Sequence, residues 1–383
     1  MRVAIVVRSL KIGGMERVAI SLAEAFADNQ HEAHLIYFKN KKNTLAPNES
    51  VKVHRFNLDK LMLQSIIGIV WEIFFRIFNM FLRKSYPLFK GFFTSQIFKF
   101  KFSKLEKEYG KFDLIIVRGQ GTLELIYHNR DNRIVFVSEG IFSYGTMNKY
   151  IKSFQIKSLY EHRNIVGVSS GVIENLRVLK RDENFQSKTL LKITNPINVK
   201  NTNTLADAYT PDFNEPFILS VGRIIPGKNI PLLLSAYHQA LVNYDIKHKL
   251  VIVGDGSDMP LVKRKVKELR LESHVHFTGQ LTNPFPWMKK ADLFILSSKF
   301  EGLGMVLLEA IACGTKVIAT KSRGGVTDIM KGVLSPYLAE QNAQDLSKKI
   351  NTALQEEKNL DFDEILKEFA PKTIVNQYIK NFT

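Results

Sequence analysis

Cysteine is almost absent: Cys313 is the only one in 383 residues. No disulfide can form within the chain, and a reducing compartment fits. Zinc chemistry of the Cys–His type is missing as well, because none of the nine histidines makes a pair at zinc-like helical spacing beside a cysteine. The opening "MRVAIVVRSLKIGG" has five apolar residues between Arg2 and Arg8. That is too short for the apolar core of a secretory leader, so it reads as a first buried strand and the expected location is the cytoplasm. Internal repeats of 20–50 residues and low-complexity tracts are also lacking. What remains, 45% hydrophobic and 24% charged, is the composition of a soluble globular protein. The length suggests two domains of ordinary size, each with its own core.

Negative charge is scarce, and unevenly so. The net charge is +17, and residues 1–199 carry 31 Lys and Arg against 17 Asp and Glu. Nearly all the excess lies in the first half, a field that favours an anionic partner: nucleic acid, an acidic lipid surface or a phosphorylated substrate. No nucleic-acid recognition module accompanies the charge, so nucleic acid is not expected.

Both halves alternate apolar runs with helical patterns. In the first, "RVAIVVR", "HLIYF", "DLIIV", "RIVFV" and "NIVGVS" read as strands; in the second, "PFILSVG", "HKLVIVG", "HVHFTG", "DLFILS" and "TKVIAT" do the same. Continuous apolar runs separated by helices predict parallel strands buried on both faces. The expected fold class is α/β, with two Rossmann-like, doubly wound parallel-sheet domains. The polar stretch 196–214, bounded by prolines, reads as the linker.

Residues 61–107 break the rhythm. The part 61–82 is long enough to span a bilayer, but Glu72 and Arg76 sit at its centre, where each charge costs roughly 2.5–3.5 kcal/mol on insertion scales. Their i, i+4 spacing suits one polar face of a surface helix. Arg83, Lys84, Lys90, Lys99, Lys101 and Lys104 follow, interleaved with Phe and Tyr. An apolar helix flanked by basic and aromatic residues suits the interface of an anionic membrane. Core helices with solvated lysines are the alternative reading.

Several loops carry phosphate-binding chemistry. Gly13 and Gly14 lie between the first strand and first helix, where backbone can approach a ligand and the helix N-terminus offers free N–H groups. "GRIIPGK", Gly222 to Lys228, has P-loop spacing but is followed by Asn229, not by the Ser or Thr that would reach Mg²⁺. Arg223 and Lys228 at the end of a parallel strand instead suit two adjacent phosphates, one as a forked donor and one as a point charge. Gly254, in "VGDGSDM", follows the next strand. In "FEGLGMVLLEAIACG", Glu301 sits on a loop and Glu309 inside a helix that begins after Gly304. The N–H groups of residues 303–306, Met305 and Val306 among them, are expected to form an anion site. A glutamate among Leu307, Leu308, Ala310 and Ile311 needs partners if buried, and a ribose diol would supply them.

With these motifs the chain resembles the retaining glycosyltransferases of family 4, which have the GT-B fold of two Rossmann-like domains facing across a cleft. The Glu-x7-Glu motif matches Glu301 and Glu309, the Arg and Lys pair matches Arg223 and Lys228, and the N-terminal Gly-Gly loop matches Gly13 and Gly14, with Glu16 in the "GGxE" position. The resemblance implies an acceptor-binding domain at 1–198, a nucleotide-sugar-binding domain at 199–365 with Gly222, Gly254 and Gly304 in its donor loops, and a final helix within 366–383 returning to the first domain. It implies that Arg223 and Lys228 neutralise the leaving diphosphate, that Glu309 binds the ribose, and that Glu301 binds the donor sugar. The family's usual His near the reacting sugar, after a strand of the first domain, has no counterpart here; "VFVSEGIFSYG" places Glu139 there, so Glu139 is the residue expected to face the anomeric centre as a catalytic group. No metal or other cofactor is expected, and Asp361-x-Asp363 falls in a surface helix, not after a strand. UDP is the default base on family grounds. The partners implied are a nucleotide sugar and a lipid-linked or lipopolysaccharide-type acceptor, at the inner face of the plasma membrane. A catalytically silent partner subunit and a GT-B sugar-nucleotide epimerase are the alternatives. Oligomeric state is not legible.

Overall fold

The computed structural model describes residues 1–11, 13–39, 45–81, 86–141, 149–356 and 360–383. The chain divides into two compact units, residues Met1–Pro196 with Pro371–Thr383, and Ile197–Ala370.

The first unit is built on seven parallel strands: β1 (Arg2–Ser9), β2 (Glu32–Lys39), β3 (Lys52–Arg55), β4 (Leu114–Arg118), β5 (Ile134–Ser138), β6 (Asn164–Gly167) and β7 (Thr189–Lys192). Their order is β3-β2-β1-β4-β5-β6-β7. Val3 to Val7, Leu114 to Val117 and Val135 to Val137 are essentially inaccessible, as parallel strands covered by helices on both faces must be. The second unit has β8 (Phe217–Val221), β9 (Lys249–Val253), β10 (Val275–Gly279), β11 (Leu293–Leu296), β13 (Val317–Thr320) and β15 (Leu338–Ala339) in the order β10-β9-β8-β11-β13-β15. A separate two-residue pair joins β12 (Phe300–Glu301) to β14 (Arg323–Gly324).

All ten apolar runs are strands. Of the additional strands, β3, β7 and β15 lie at sheet edges, where the runs are short and less completely buried, and β12 and β14 form the separate pair. The stretch read as a linker holds a helix, Val199–Ala206, whose Leu205 carbonyl accepts a hydrogen bond from Asn283 Nδ2 at 2.7 Å. Asn198 caps that helix through the Asn201 N–H, so polar composition there reflects capping and an exposed face.

Strand order reverses between β1 and β4 in the first sheet and between β8 and β11 in the second. Doubly wound sheets bind ligands beyond the carboxyl ends of strands at these switch points. Ser9 and Arg118 end the two strands at the first reversal, and Gly222 and Ser297 follow the two at the second.

The apolar segment forms two helices, Ile66–Phe81 and Tyr86–Tyr109. They pack through aromatic rings: Phe75 stacks on Phe89 at 4.2 Å, and Trp71 Nε1 donates to the Phe89 carbonyl at 2.9 Å. Glu72 departs from the expected polar face. It turns inward and is buried, while Arg76 stays exposed and reaches it at 2.9 Å. The last helix, Pro371–Phe382, belongs to the first unit, where Tyr378 packs on Phe26 of the first helix, Gly14–Asp28. Tyr378 is 1% exposed. Tyr378→Ala should therefore lower unfolding stability of the first unit by about 3 kcal/mol or more, read as a shift in the denaturant midpoint.

Candidate active site

In the second unit the site begins at the end of β8. Gly222, Arg223 and Lys228 line one cavity together with Ser297 at the end of β11. The loop between Arg223 and Lys228 is not a P-loop: Pro226–Lys228 makes a single 3-10 turn, and Asn229 takes a left-handed conformation, φ 53°, before the helix Ile230–Tyr244. Two hydrogen bonds tie this loop to the segment after β11. Lys299 N–H donates to the Gly227 carbonyl at 2.8 Å, and Ser297 Oγ donates to the Lys228 carbonyl at 2.9 Å.

That tether places Lys228 Nζ 2.5 Å from Glu301 Oε1. Ser298 Oγ donates to the same oxygen at 2.6 Å. Ser298 is fixed in turn, since its carbonyl accepts from Thr320 Oγ1, Ser322 Oγ and Gln341 Nε2. Glu301 lies in β12 and not in a loop; its partner strand places Gly324 so close that a Cβ there would strike the Glu301 carbonyl oxygen. Gly254 is constrained in the same way. Its φ is +144°, and a Cβ would collide with the Gly222 carbonyl oxygen. Only hydrogen fits where these backbones approach. Arg223 is exposed at the cavity rim. Gly304 caps the helix Met305–Ala312, with Met305 and Val306 half-buried in its first turn and Glu309 half-buried one turn on. Behind it, burial first and then the nearby Glu309 charge push the Cys313 thiol up to about 12, so Cys313 is an inert core residue.

In the first unit a polar cluster lies at the carboxyl end of the sheet. Gly13 caps the first helix in extended conformation, and Gly14 has open space where a side chain would be. Glu16 is buried and accepts from Ser9 Oγ at 3.0 Å. Glu139, just after β5, is ion-paired with Arg118 and accepts from Asn195 Nδ2 at 3.5 Å. Burial raises the Glu139 carboxyl, Arg118 and Asn195 pull it back, and the charge of Glu16 adds to the rise.

The basic residues of the helical segment separate. Arg83 and Lys84 lie outside the described residues. Lys90 is engaged with Asp59 at 2.9 Å. Lys99 and Lys104 are exposed on the Tyr86–Tyr109 helix, with Lys104 Nζ 4.5 Å from the Phe100 ring centroid, and Lys101 is partly exposed. Asp361 caps the helix Phe362–Leu366, and among the described residues no group of three metal-ligating side chains occurs.

Sequence reasoning missed Ser297 and Ser298, which follow the strand "DLFIL", and Arg118 and Asn195. An arginine closing the apolar run "DLIIVR" is the available signal for Arg118.

Two doubly wound domains, each with polar side chains gathered where its strand order reverses, are the architecture of the GT-B fold. Solved structures agree. Staphylococcus aureus TarM, in a complex with fondaparinux, α-GlcNAc-glycerol and UDP, superposes with TM-score 0.65 at 14% identity over 100% of this chain and 97% of that one. Anabaena HepE, in complex with UDP and glucose, gives 0.67 at 17% identity over 99% and 98%. Residues 202–373, which fall almost wholly in the second domain, match the sequence model of the glycosyl transferases group 1. A Campylobacter jejuni relative is 32% identical over 214 residues, 55% of this chain and 56% of that protein. It is an N-acetylgalactosamine-N,N'-diacetylbacillosaminyl-diphospho-undecaprenol 4-alpha-N-acetylgalactosaminyltransferase. The chain spans about half the length of the first curated relatives it matches.

Gly254→Ala should destabilise the second unit by about 1–3 kcal/mol, because it adds a strained φ and a collision with backbone. Chemical denaturation measures this, and a variant as stable as the parent would contradict the close approach of the two loops.

Proposed function

We propose that the protein is a retaining glycosyltransferase that moves a sugar from a nucleoside-diphosphate donor, a UDP-sugar, to a lipid-linked or surface-polysaccharide acceptor at a membrane surface. The observation that carries this reading is the Lys228–Glu301–Ser298 cluster beside the Gly222–Arg223 cavity at the second switch point. Arg223 and Lys228 hold the charge that develops on the leaving diphosphate, the electrostatic part of catalysis. On diphosphate binding, Lys228 is shared between phosphate and Glu301, which fixes Glu301 for the donor sugar's hydroxyls. Glu309 receives the ribose diol, and the Met305 helix start faces the phosphates. In a front-face reaction the bond from the anomeric carbon to phosphate oxygen breaks. A bond to the acceptor oxygen forms on the same face, and the acceptor proton passes to a donor phosphate oxygen. No protein nucleophile or metal is required. UDP in the TarM and HepE complexes and the diphospho-undecaprenol substrate of the Campylobacter relative support the donor and acceptor classes.

The membrane part rests on the helix Ile66–Phe81. Ile66, Val70, Ile73, Phe74, Ile77 and Met80 repeat at helical spacing and are each between 53% and 82% exposed. An apolar face of this extent marks an interaction surface. Among the described residues no helix is long and apolar enough to cross a membrane, so this helix would lie in the interface plane. Exposed Lys99 and Lys104 on the next helix, in a half carrying most of the +17 charge, favour anionic lipid.

Thermal-shift measurements with UDP, GDP, ADP and ATP, each with and without Mg²⁺, should give stabilisation by UDP without metal. Glu309→Gln should weaken UDP binding about tenfold in calorimetry, and unchanged affinity would remove the ribose from Glu309. In flotation assays the protein should rise with vesicles containing phosphatidylglycerol and stay behind with pure phosphatidylcholine. The double variant Ile73→Glu, Phe74→Glu should lose flotation while keeping its response to UDP.

A further inference from the structure

Arg118 is the last residue of β4, beside β1 at the reversal of the first sheet. It is 0% exposed. A fully buried arginine is rare unless paired, and a hydrophobic residue of similar volume would usually serve stability as well. Here Nη2 donates to Asn195 Oδ1 at 2.7 Å and pairs with Glu139 Oε1, while Asn195 Nδ2 donates to Glu139 Oε2. The triangle thus contacts both carboxylate oxygens of Glu139, Oε1 through the ion pair without a hydrogen bond and Oε2 at 3.5 Å. The guanidinium Nε is buried with no hydrogen-bond partner. An orphaned donor on a buried charge costs stability, so packing alone does not account for the residue.

Glu139 keeps 17% of its side chain open to solvent, next to Gly140, which has open space where a Cβ would stand. The other charged and titratable groups near it are Glu16 from the first helix, an unfavourable carboxylate neighbour, and Tyr378 from the last helix, within electrostatic reach of both Arg118 and Glu139. Glu139, paired with Arg118, thus has a second carboxylate within electrostatic reach.

We propose that Arg118 and Asn195 are positioning residues for Glu139, clamping its two oxygens so that the carboxylate stays ionised and aimed to accept a hydrogen bond from the hydroxyl of the incoming acceptor. This rests on the reading of Glu139 as the first domain's residue at the reacting sugar. Glu139 orients the hydroxyl and does not take its proton, which leaves to the donor phosphate. Burial and Glu16 both favour the neutral form, which would present a donor where an acceptor is needed, and Arg118 and Asn195 counter them in part, the carboxyl remaining raised. The sign follows: activity requires the ionised carboxylate and falls as pH drops through its pKa, and removing Arg118 moves that acid limb to higher pH.

The test uses the full chain and follows UDP released from UDP-N-acetylgalactosamine between pH 5 and 9, with detergent-dispersed undecaprenyl-diphosphate-linked saccharide as acceptor and calorimetric UDP affinity alongside. Glu139→Gln should lose at least tenfold in kcat at every pH with UDP affinity unchanged. Arg118→Met should shift the acid limb upward by about one to three units and regain rate at alkaline pH. Arg118→Lys should shift it less, and Asn195→Ala should lower kcat without altering UDP affinity. A folded Arg118→Met with the parent's acid limb would overturn the proposal, leaving the arginine purely structural. Should that variant not fold, Arg118→Lys and Asn195→Ala decide, and parental profiles in both overturn it. Full activity of Glu139→Gln would overturn the reading of Glu139, and the clamp with it, while UDP binding by the second domain would still stand.

Discussion

Parallel strands must be buried on both faces, and this one constraint organises everything else in the molecule. Each strand is followed by a crossover that returns it to the same end of the sheet, so the loops after the strands all gather at the carboxyl edge. Where the strand order reverses, crossovers leave in opposite directions and a gap opens between two strand ends. In the second domain the gap falls between β8 and β11, and residues more than seventy positions apart, Lys228 and Glu301, meet there. In the first it falls between β1 and β4, where Ser9 and Arg118 end their strands.

The two edges solve the problem of charge differently. In the second domain the ion pair is partly open, and Ser298 shares the carboxylate, so the lysine can exchange one anionic partner for another at low cost. The loops around it are drawn together through glycines that leave no room for a side chain, which brings backbone N–H groups and cations to one small region. In the first domain the arginine is wholly enclosed, and its charge can act only through Glu139 and Asn195. An open pair suits a ligand that arrives with its own negative charge; an enclosed one suits tuning a neighbour.

Much of the architecture was legible because the chemistry of a buried parallel strand is local. "RVAIVVR" and "DLFILS" are apolar without alternation, and no other element of that length has the same need. Edge strands escape this logic: "KVHR" is exposed at three positions, so it resembles a loop. The helix in 199–206 was hidden because its capping asparagines have the composition of a linker. Glu72 was misplaced for a related reason. Spacing put it on a face with Arg76, but which way that face turned depended on the aromatic packing of Trp71, Phe75 and Phe89.

By itself the sequence determined the α/β class, the two-part organisation, and the residue types in the loops after β8 and β11, since glycine, arginine and lysine after an apolar run are dictated by chemistry within a few residues. Only the tertiary structure decided which of these touch. The Lys228–Glu301–Ser298 cluster and the Arg118–Glu139–Asn195 triangle join segments separated by 73 and 77 positions, respectively, and no local pattern encodes such pairings. Contacts across that distance follow from strand order and the position of its reversal, which the burial of whole sheets sets and no single stretch records.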